Sequence, residues 1–541
     1  MNSFLLLASL GALLLYRLLS SIRRRRLPLP PGPKGLPLIG NLWDVPAEYP
    51  WLTYAQWAAT YGDVFYLDTP GNPTVVINSA QAVADIFEKR SGNYSDRPDF
   101  TMSNLAGWEG IVTFMRYSNW WRKHRRMLHG YFQLRAVPAY HPVQVKATST
   151  LLQQLLKSPD EISHHVRHHA GSIIMKIVYG YDVNPNGDTF VGLVDRAMES
   201  ARIIGNLGTF LVDYIPSLQY LPRWFPGTKF MSLADGWRKD VHAMQEEPFK
   251  YALESLDSGT ASSSLVSVNL AKMNNIGVSE KRVHLEVIRN TASVAFAGRL
   301  HSVFLVEHPI SCLGYGCGHS RVSLSISFEI SLIDTQTVST VLSTILAFLL
   351  YPEVQAKAQA ELDAVVGHTR LPNFDDRAQL PYINAVVLEA LRWNPVTPMG
   401  VAHRSVKEDV YRGYYIPAGA TIVGNVWAIL HDEKDYPNPL VFDPNRFMPE
   451  DEKEPQPEPT AAFGFGRRVC PGRHLALNTV WIAIASMAAT LSFSKAVDSE
   501  GRVVEPSDTF TDGLLSFPAP FKCTIKARSA QAKALIDLAE L

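Results

Sequence analysis

The feature that most constrains this 541-residue chain is the run FGFGRRVCPG, residues 463–472, which sets one cysteine among glycines and arginines. Arg467 and Arg468 precede Cys470 and favour its thiolate, the form that binds metals and attacks electrophiles. The glycines permit sharp turns and leave room for a large flat group to approach. An apolar helix is predicted from Leu475 onward, and its N-terminal dipole also favours a thiolate.

Three kinds of chemistry use a single activated cysteine, and they differ in what they need nearby. A zinc site needs further ligands at short spacing, and His474 alone does not complete one. A cysteine nucleophile needs a histidine base, and the sequence does not show that His474 faces the sulfur. A lone thiolate in a glycine-bearing loop ahead of a buried helix suits an axial ligand to haem iron, so Cys470 is the predicted iron ligand.

Composition narrows the class of protein. Basic and acidic residues balance at 51 each, which argues against a nucleic-acid partner. Four cysteines (Cys312, Cys317, Cys470 and Cys523) in a chain of this length do not form a disulfide scaffold, and they favour a catalytic part on the reducing, cytosolic side. Helical periodicity dominates from about residue 80 to 366, and short strand patterns flank it at 63–79 and 409–425. We therefore predict one mainly α-helical domain with small β-sheets at one side.

The N-terminus predicts a membrane anchor. Residues 4–22 are almost wholly apolar and four arginines follow at 23–26; a bilayer core needs about 20 apolar residues. The arginines place the rest of the chain on the cytoplasmic side. The charge follows the apolar run and no small-residue cleavage site is evident, which argues against a signal peptide. An amphipathic surface helix is the alternative, although the run lacks a polar face. Residues 23–41 are basic and then proline-rich, which predicts a stiff hinge before a catalytic domain at 42–541.

The cysteine loop resembles the haem-binding loop of the cytochrome P450 family, FxxGxRxCxG, at every fixed position: Phe463, Gly466, Arg468, Cys470 and Gly472. The order of the motifs along the chain is similar to that of microsomal, fungal-type members. The resemblance implies the cytochrome P450 fold behind a transmembrane helix, with haem b as the cofactor.

Two upstream motifs also resemble the family. Glu389 and Arg392 match its ExxR helix, and a spacing of three puts both side chains on one helical face. The segment FDPNRF matches its PxRF sequence and supplies Arg446. An isolated ExxR is usually a surface pair, but the motifs that follow favour the family's arrangement. The resemblance implies that Glu389, Arg392 and Arg446 form a buried charge network behind the haem loop.

Further family positions imply contacts to the haem propionates. Trp121 and Arg125 match the WxxxR helix, in which a spacing of four again selects one face. Taken alone, this basic stretch would more often be a solvated helix face. His403 and Arg468 match two other propionate-binding positions. Arginine suits a carboxylate because its fork can donate two hydrogen bonds.

The family's oxygen-activation motif, [AG]Gx[DE]T[TS], is cut in two. Its first half ends at Gly298, and Asp334 and Thr335 begin the second half, where Gln336 departs from the pattern. The resemblance implies that the acid and the threonine guide protons to bound oxygen. Asp334 and Thr335 are therefore the candidate catalytic residues.

The 35 residues at 299–333 interrupt a strongly helical region with a proline, several glycines and a β-branched, serine-rich end. Local and global signals agree in foldable sequences, and here they conflict. One interpretation is a retained intron or gene-model error. A second is a loop bulging from a broken helix. A third is a metal site formed by Cys312, Cys317 and His319, which lacks a fourth ligand.

The family resemblance implies a membrane-anchored monooxygenase of the endoplasmic reticulum. Such enzymes insert one oxygen atom of O2 into an apolar substrate with electrons from NADPH, delivered by a separate reductase; cytochrome b5 is a further candidate partner. Secondary metabolites, steroids and aromatic xenobiotics are the expected substrate classes, with pocket-lining candidates Phe100, Trp108, Leu207, Phe210, Leu211, Pro398, Met399, Leu515 and Phe517. The interrupted motif keeps a haem-thiolate isomerase, or a haem protein without turnover, as the alternative. A non-enzymatic membrane scaffold would not explain several haem motifs in order.

Overall fold

A computed structural model of the protein describes residues 27–297 and 336–538, apart from short gaps at 38, 70, 186, 206–208, 276 and 450–453. The predicted anchor at 4–22, the arginines at 23–26 and the insertion at 299–333 lie outside the described residues. Within the described part, no single helix is both long enough and apolar enough to cross a membrane. One bent pair, Thr337–Leu350 with Pro352–Val365 at 108°, satisfies the length and composition criteria together.

Helices make up most of the described fold. The longer ones are α1 (Pro50–Tyr61), α2 (Asn119–Phe132), α3 (His141–Lys157), α4 (Ile162–Tyr179), α5 (Thr189–Gly205), α6 (Lys229–Asp257), α7 (Val278–Ala297), α8 (Gln336–Leu350), α9 (Pro352–Val365), α10 (Pro381–Trp393), α11 (Arg473–Thr490) and α12 (Ala530–Leu538). Shorter α-helices occupy Ala80–Val83, Ser91–Tyr94, Thr101–Leu105, Leu211–Tyr214, Leu265–Ala271 and Val426–Leu430. The predicted helical dominance is confirmed.

Three small sheets accompany the helices. Their strands are β1 (Val64–Leu67), β2 (Thr74–Ile77), β3 (His403–Arg404), β4 (Asp409–Tyr411), β5 (Tyr414–Ile416), β6 (Thr421–Gly424), β7 (Leu491–Val497), β8 (Val503–Val504) and β9 (Cys523–Ala527). The predicted hairpin is β1–β2, and β2 pairs in parallel with the distant β6, which pairs with β3. The hairpin β4–β5 forms a second sheet, and in the third sheet β7 lies between β8 and β9.

Two apolar clusters organise the interior. The first contains buried side chains of α8, α10 and α11, together with one face of the sheet: Val64, Val75, Ile77 and Ile422. The helix predicted after the cysteine begins at Arg473, and nearly all of its faces are buried, as expected for a helix that is apolar all round. The second cluster is built mainly from α2 and α4–α7. The cysteine loop lies between these clusters: the cavity beside Cys470 is lined by residues of both.

The proline-rich hinge is docked on the sheets from residue 27 onward. The backbone N–H of Tyr415 donates to the carbonyl of Pro28, and that of Tyr66 donates to Pro31, each at 2.8 Å. Asn41 donates to the carbonyl of Asp68 at the same distance. Because prolines restrict the segment and these bonds attach it, the chain enters the folded body in a fixed direction.

Candidate active site and cofactor pocket

The Cys470 loop is a tight backbone structure set by its glycines. Gly464 and Gly466 have φ values of 79° and 54°, in the left-handed region that glycine favours. A Cβ atom on Gly466 would lie 2.2 Å from the carbonyl oxygen of Phe87, so a side chain cannot be placed there without moving the backbone. The N–H of Cys470 donates to the carbonyl of Phe463 at 2.8 Å, which fixes the loop around the cysteine.

Cys470 is half-buried and lies just ahead of the α11 N-terminus, where Gly472 is the N-cap residue. The helix dipole and the two preceding arginines favour the thiolate over the thiol. The ring of Phe465 stacks on Phe87 with centroids 5.2 Å apart, which packs the loop against the N-terminal half of the fold. The loop therefore presents a sulfur from a rigid support.

A cavity of about 300 Å³ lies against this sulfur. All seven residues predicted to contact the cofactor line it, although they come from three distant parts of the chain: Trp121, Arg125, His403, Phe463, Arg468, Cys470 and Gly472. Most of the remaining lining is apolar, including Leu128, Phe132, Val294 and Leu475. The structure thus assembles the predicted cofactor residues around one largely apolar space.

Arg468 is held rigidly at this cavity. Its guanidinium donates to the carbonyls of Ser95 and Met115, each at 2.8 Å, and lies 4.3 Å from the ring centroid of Trp121. Burial, more than any other influence, lowers the pKa of Arg468, to about 10. The side chain is still a cation at neutral pH, and its geometry is fixed before any ligand binds.

Arg97 is a lining residue that the sequence analysis missed. It is 4% exposed and donates to the carbonyls of Thr113, Val401 and Ala402 at 3.0, 2.5 and 2.7 Å. Burial and the nearby Arg468 lower its pKa well below the usual range. In the sequence, Arg97 is distinguished only by its position directly before a proline. Its contribution to the pocket is visible only in the folded protein, where the side chain is buried.

His403 completes the polar lining. Its ring is buried, Nδ1 lies 2.6 Å from the carbonyl oxygen of Tyr94, and the ring packs 4.4 Å from that of Phe87. Burial and the neighbouring Arg97 hold the pKa of His403 well below its usual value. With Nδ1 protonated toward the carbonyl, the ring is a neutral, oriented group at the cavity wall.

These residues fit a haem group. Arg97, Arg125 and Arg468 bring three guanidinium groups to the cavity, and in the described parts of the chain none forms an ion pair with a carboxylate. The nearby Asp96 is instead paired with Arg116 at 2.9 Å. Buried cations are normally paired with anions. These three arginines have no such partner among the described carboxylates. Haem would supply the anions as two propionates, while its ring would fill the apolar space and its iron would meet the Cys470 sulfur.

The predicted charge network is assembled behind the loop. Glu389 and Arg392 have no exposed surface and form a two-bond ion pair at 2.7 and 2.8 Å. Arg446 lies 3.4 Å from the Glu389 carboxylate. Burial raises the pKa of Glu389, against the opposing effect of Arg392.

The same network holds the segment that leads into the cysteine loop. The Glu389 carboxylate accepts the N–H of Asp443 at 2.8 Å, and Arg392 donates to the carbonyls of Leu430 and Val441. Arg446 donates to the carbonyls of Pro437 and Asn438. These bonds satisfy backbone carbonyls in an irregular stretch that has no ladder of its own.

The candidate catalytic residues Asp334 and Thr335 lie outside the described residues. The flanking helices are nevertheless informative, since α7 ends at Ala297 and α8 begins at Gln336. Val294 from α7 and Thr337 from α8 both line the Cys470 cavity. The helices on both sides of the interrupted motif therefore reach the cofactor pocket. Thr337 places a hydroxyl-bearing residue there that the sequence analysis did not single out.

A second cavity of about 310 Å³ adjoins the first and shares Gly400 and Val401 with it. Phe100 and Met399, two of the predicted substrate-pocket residues, line it with Phe114 and Ile204. Its walls also include residues from the segment after the hinge and from the loop around Leu514. A small molecule in this space would be surrounded mainly by apolar groups.

Other predicted pocket residues lie elsewhere. Trp108 is in the core, where its indole N–H donates to the Ser200 hydroxyl at 2.9 Å. Leu515 and Phe517 are also buried in the core, and Leu211 is 58% exposed. None of these lines either cavity, because apolar character alone does not tell a pocket wall from packed interior. Phe210 packs against Trp237, Pro398 accepts the N–H of Trp427, and Leu207 lies outside the described residues.

Proteins of similar sequence are monooxygenases by name, which agrees with the cavity around Cys470. The family model for cytochrome P450 matches residues 30–299 and 334–525. A cytochrome P450 monooxygenase of Armillaria gallica is 40% identical over 95% of this chain and 94% of its own. A cytochrome P450 monooxygenase of Postia placenta is 38% identical over 99% and 97%, and a tryptamine 4-monooxygenase of Psilocybe cyanescens is 38% identical over 94% and 95%.

The fold and the cysteine-bearing cavity define a haem-thiolate protein. The chain belongs to the cytochrome P450 family, and the names of its relatives identify it as a haem-dependent monooxygenase. Membership implies haem iron with a thiolate ligand and electrons supplied by a reductase. The matched ranges also stop at 299 and resume at 334, so the family model has no counterpart for the intervening segment.

Arg97 offers a test of the cofactor pocket. We expect Arg97→Met to lose most of its haem during purification, because three backbone carbonyls lose a charged donor and the pocket loses a cation. Each such hydrogen bond contributes about 1.5–3 kcal/mol. The haem-to-protein absorbance ratio is the measurement. Arg116→Met, which removes a partly exposed guanidinium close by, is the control and should retain haem. Equal retention by both variants would contradict a role for Arg97 in holding the cofactor.

Proposed function

We propose that this protein is a membrane-anchored monooxygenase that inserts one oxygen atom of O2 into an apolar small molecule, with NADPH-derived electrons from a separate reductase. One observation carries the proposal: the cavity against the Cys470 sulfur, whose arginines form no ion pair with a described carboxylate, adjoins an apolar cavity at Gly400 and Val401. Haem supplies the oxygen chemistry when bound. The chain's own residues hold the cofactor, exclude water and orient the substrate.

An aromatic or polycyclic substrate is favoured by the second cavity. Phe100 and Phe114 form an edge-to-face pair at 6.3 Å, and both border the space with Met399. Aromatic edges and a thioether pack well against flat rings. One relative is named for the oxidation of tryptamine, an aromatic compound, which agrees with a ring-bearing substrate.

We also propose that the N-terminus anchors the protein in a membrane. Residues 4–22 have the composition of a membrane span, and the arginines at 23–26 would keep the catalytic domain on the cytoplasmic side of the endoplasmic reticulum. The docked proline segment would then hold the body at a set angle to the bilayer. NADPH-cytochrome P450 reductase in the same membrane is the proposed electron donor, and cytochrome b5 a second partner.

We further propose that the active polypeptide lacks residues 300–333, one residue fewer than the predicted insertion because the family match extends to Arg299. The family match is interrupted there, and the helices on both sides lead to the same cavity. In the joined chain, Asp334 and Thr335 would follow α7 within a turn of Gly298. That arrangement would place an acid and a hydroxyl beside the cofactor, where they could deliver protons.

Two membrane preparations test this proposal, one with the full chain and one with residues 300–333 deleted, both co-expressed with reductase. We expect the shortened chain to give the thiolate-type band in a reduced carbon monoxide difference spectrum. It should also oxidise members of an aromatic substrate panel in the presence of NADPH and O2. Product that forms without NADPH or reductase would instead indicate an isomerase. A full chain with equal or greater haem content and turnover would contradict the deletion.

A further inference from the structure

A group of metal-ligating side chains lies at the start of α4. Glu161, His164 and His165 each offer one ligand atom, and these atoms lie within 4.8 Å of one another. The residues fall where the 3-10 turn Pro159–Glu161 runs into the helix. Glu161 precedes His164 by three residues and His165 by four, so each histidine lies about one turn beyond the carboxylate. None of them lines the cofactor cavity, so the group is separate from the haem site.

His165 is oriented as a metal ligand would be. Its ring is 3% exposed, and Nε2 lies 2.9 Å from both the carbonyl oxygen and the hydroxyl oxygen of Ser158. A proton on Nε2, donated to that carbonyl, leaves the lone pair on Nδ1. Nδ1 is buried and has no hydrogen-bond partner in the described part of the chain. Histidine ligands in metal sites typically donate the second ring N–H to a carbonyl in this way.

The other two groups are open to solvent. Glu161 is the N-cap residue of α4, but its side chain makes no capping hydrogen bond. Its carboxylate oxygens can therefore bind an ion without losing a bond to the helix. His164 is exposed, and its ring stands edge-on to His165 with centroids 5.7 Å apart. Neutral imidazole and carboxylate are the forms that bind metal ions.

We propose that Glu161, His164 and His165 bind one zinc ion. Two imidazoles and a carboxylate form a donor set that zinc accepts, with water in the remaining position. An unpaired buried acceptor costs free energy, and the ion would offset that cost at His165. The ion would hold the 3-10 turn, which packs against β9, to the first turn of α4. Because an unfolded chain lacks the assembled site, zinc would stabilise the folded protein.

The haem-loaded enzyme, purified without a polyhistidine tag and treated with chelator, can be titrated with zinc chloride by calorimetry at neutral pH. We expect one equivalent to bind saturably and to raise the melting temperature. His164→Asn and Glu161→Gln should each weaken binding by about tenfold or more, since even outer-shell partners contribute 10–100-fold to metal affinity. Both substitutions change exposed residues, and an unchanged carbon monoxide spectrum will show that each variant is folded.

His242→Asn is the matched control, since it removes another exposed helical histidine and should leave binding unchanged. Equal affinity in His164→Asn and the native chain would overturn the proposal. So would a failure to saturate, or binding of several equivalents with no change in melting temperature, since either result indicates only adventitious surface binding. Because none of these readouts requires substrate turnover, the result does not depend on the proposed oxidation.

Discussion

Cys470→Ala should abolish the thiolate-type band in the reduced carbon monoxide difference spectrum and remove all NADPH-dependent turnover. Alanine has no donor atom, and the other described cysteine, Cys523, is buried in β9 and outside the cofactor cavity. The loop geometry around the residue should survive, because the backbone N–H at 470 still donates to Phe463. We therefore expect a folded protein with little or no bound haem.

Cys523→Ala is the control for this experiment. Burial raises the pKa of the Cys523 thiol, to about 12, so it is not a thiolate at neutral pH. The variant should keep the band and its activity. Circular dichroism of both variants separates loss of the ligand from loss of the fold. A thiolate-type band that persists in folded Cys470→Ala would contradict the assignment of the iron ligand.

Arg392→Leu should destabilise the folded protein severely, by about 3–5 kcal/mol, because it leaves the Glu389 carboxylate buried without its main partner. The carbonyls of Leu430 and Val441 also lose their donor, so the segment before the cysteine loop should loosen. We expect poor expression and low haem content. For the protein that can be purified, the midpoint of urea denaturation measures the loss.

An exposed ion pair is the control for the loss of stability expected in Arg392→Leu. Arg502 and Asp498 lie 2.9 Å apart at the surface, and Arg502→Leu should leave the urea midpoint essentially unchanged. A second comparison, Arg392→Lys, keeps the charge but not the forked geometry, and should fall between the native chain and Arg392→Leu. If Arg392→Leu had the same midpoint as the native protein, the network would have no structural role.

Local spacing explains which parts of the site were predictable. The cysteine loop depends on glycines and an arginine within ten residues, and the Glu389–Arg392 pair depends on one helical turn. Such short-range geometry follows from backbone conformation alone. Between residues 30 and 525, the family match is interrupted only between 299 and 334.

Other features could not be inferred because they depend on distant segments. Arg97 becomes a pocket residue only when the chain near 401 and 468 packs around it. Trp108 and Phe517 have the composition of pocket residues but are packed in the core. Sequence patterns report that a side chain is apolar or charged, and they do not report which empty space it faces.

The family, the iron ligand to be tested, the mainly helical architecture and the interruption of the oxygen-activation motif can all be inferred from the amino-acid sequence. Three-dimensional packing alone shows that seven predicted residues share one cavity, that Arg97 and Thr337 join them, and that a second apolar cavity adjoins it. It alone also decided that His165 is buried with one ring nitrogen unpaired. The physical reason is that burial, and with it the strength of every charge and hydrogen bond, is set by contacts between residues far apart in the chain.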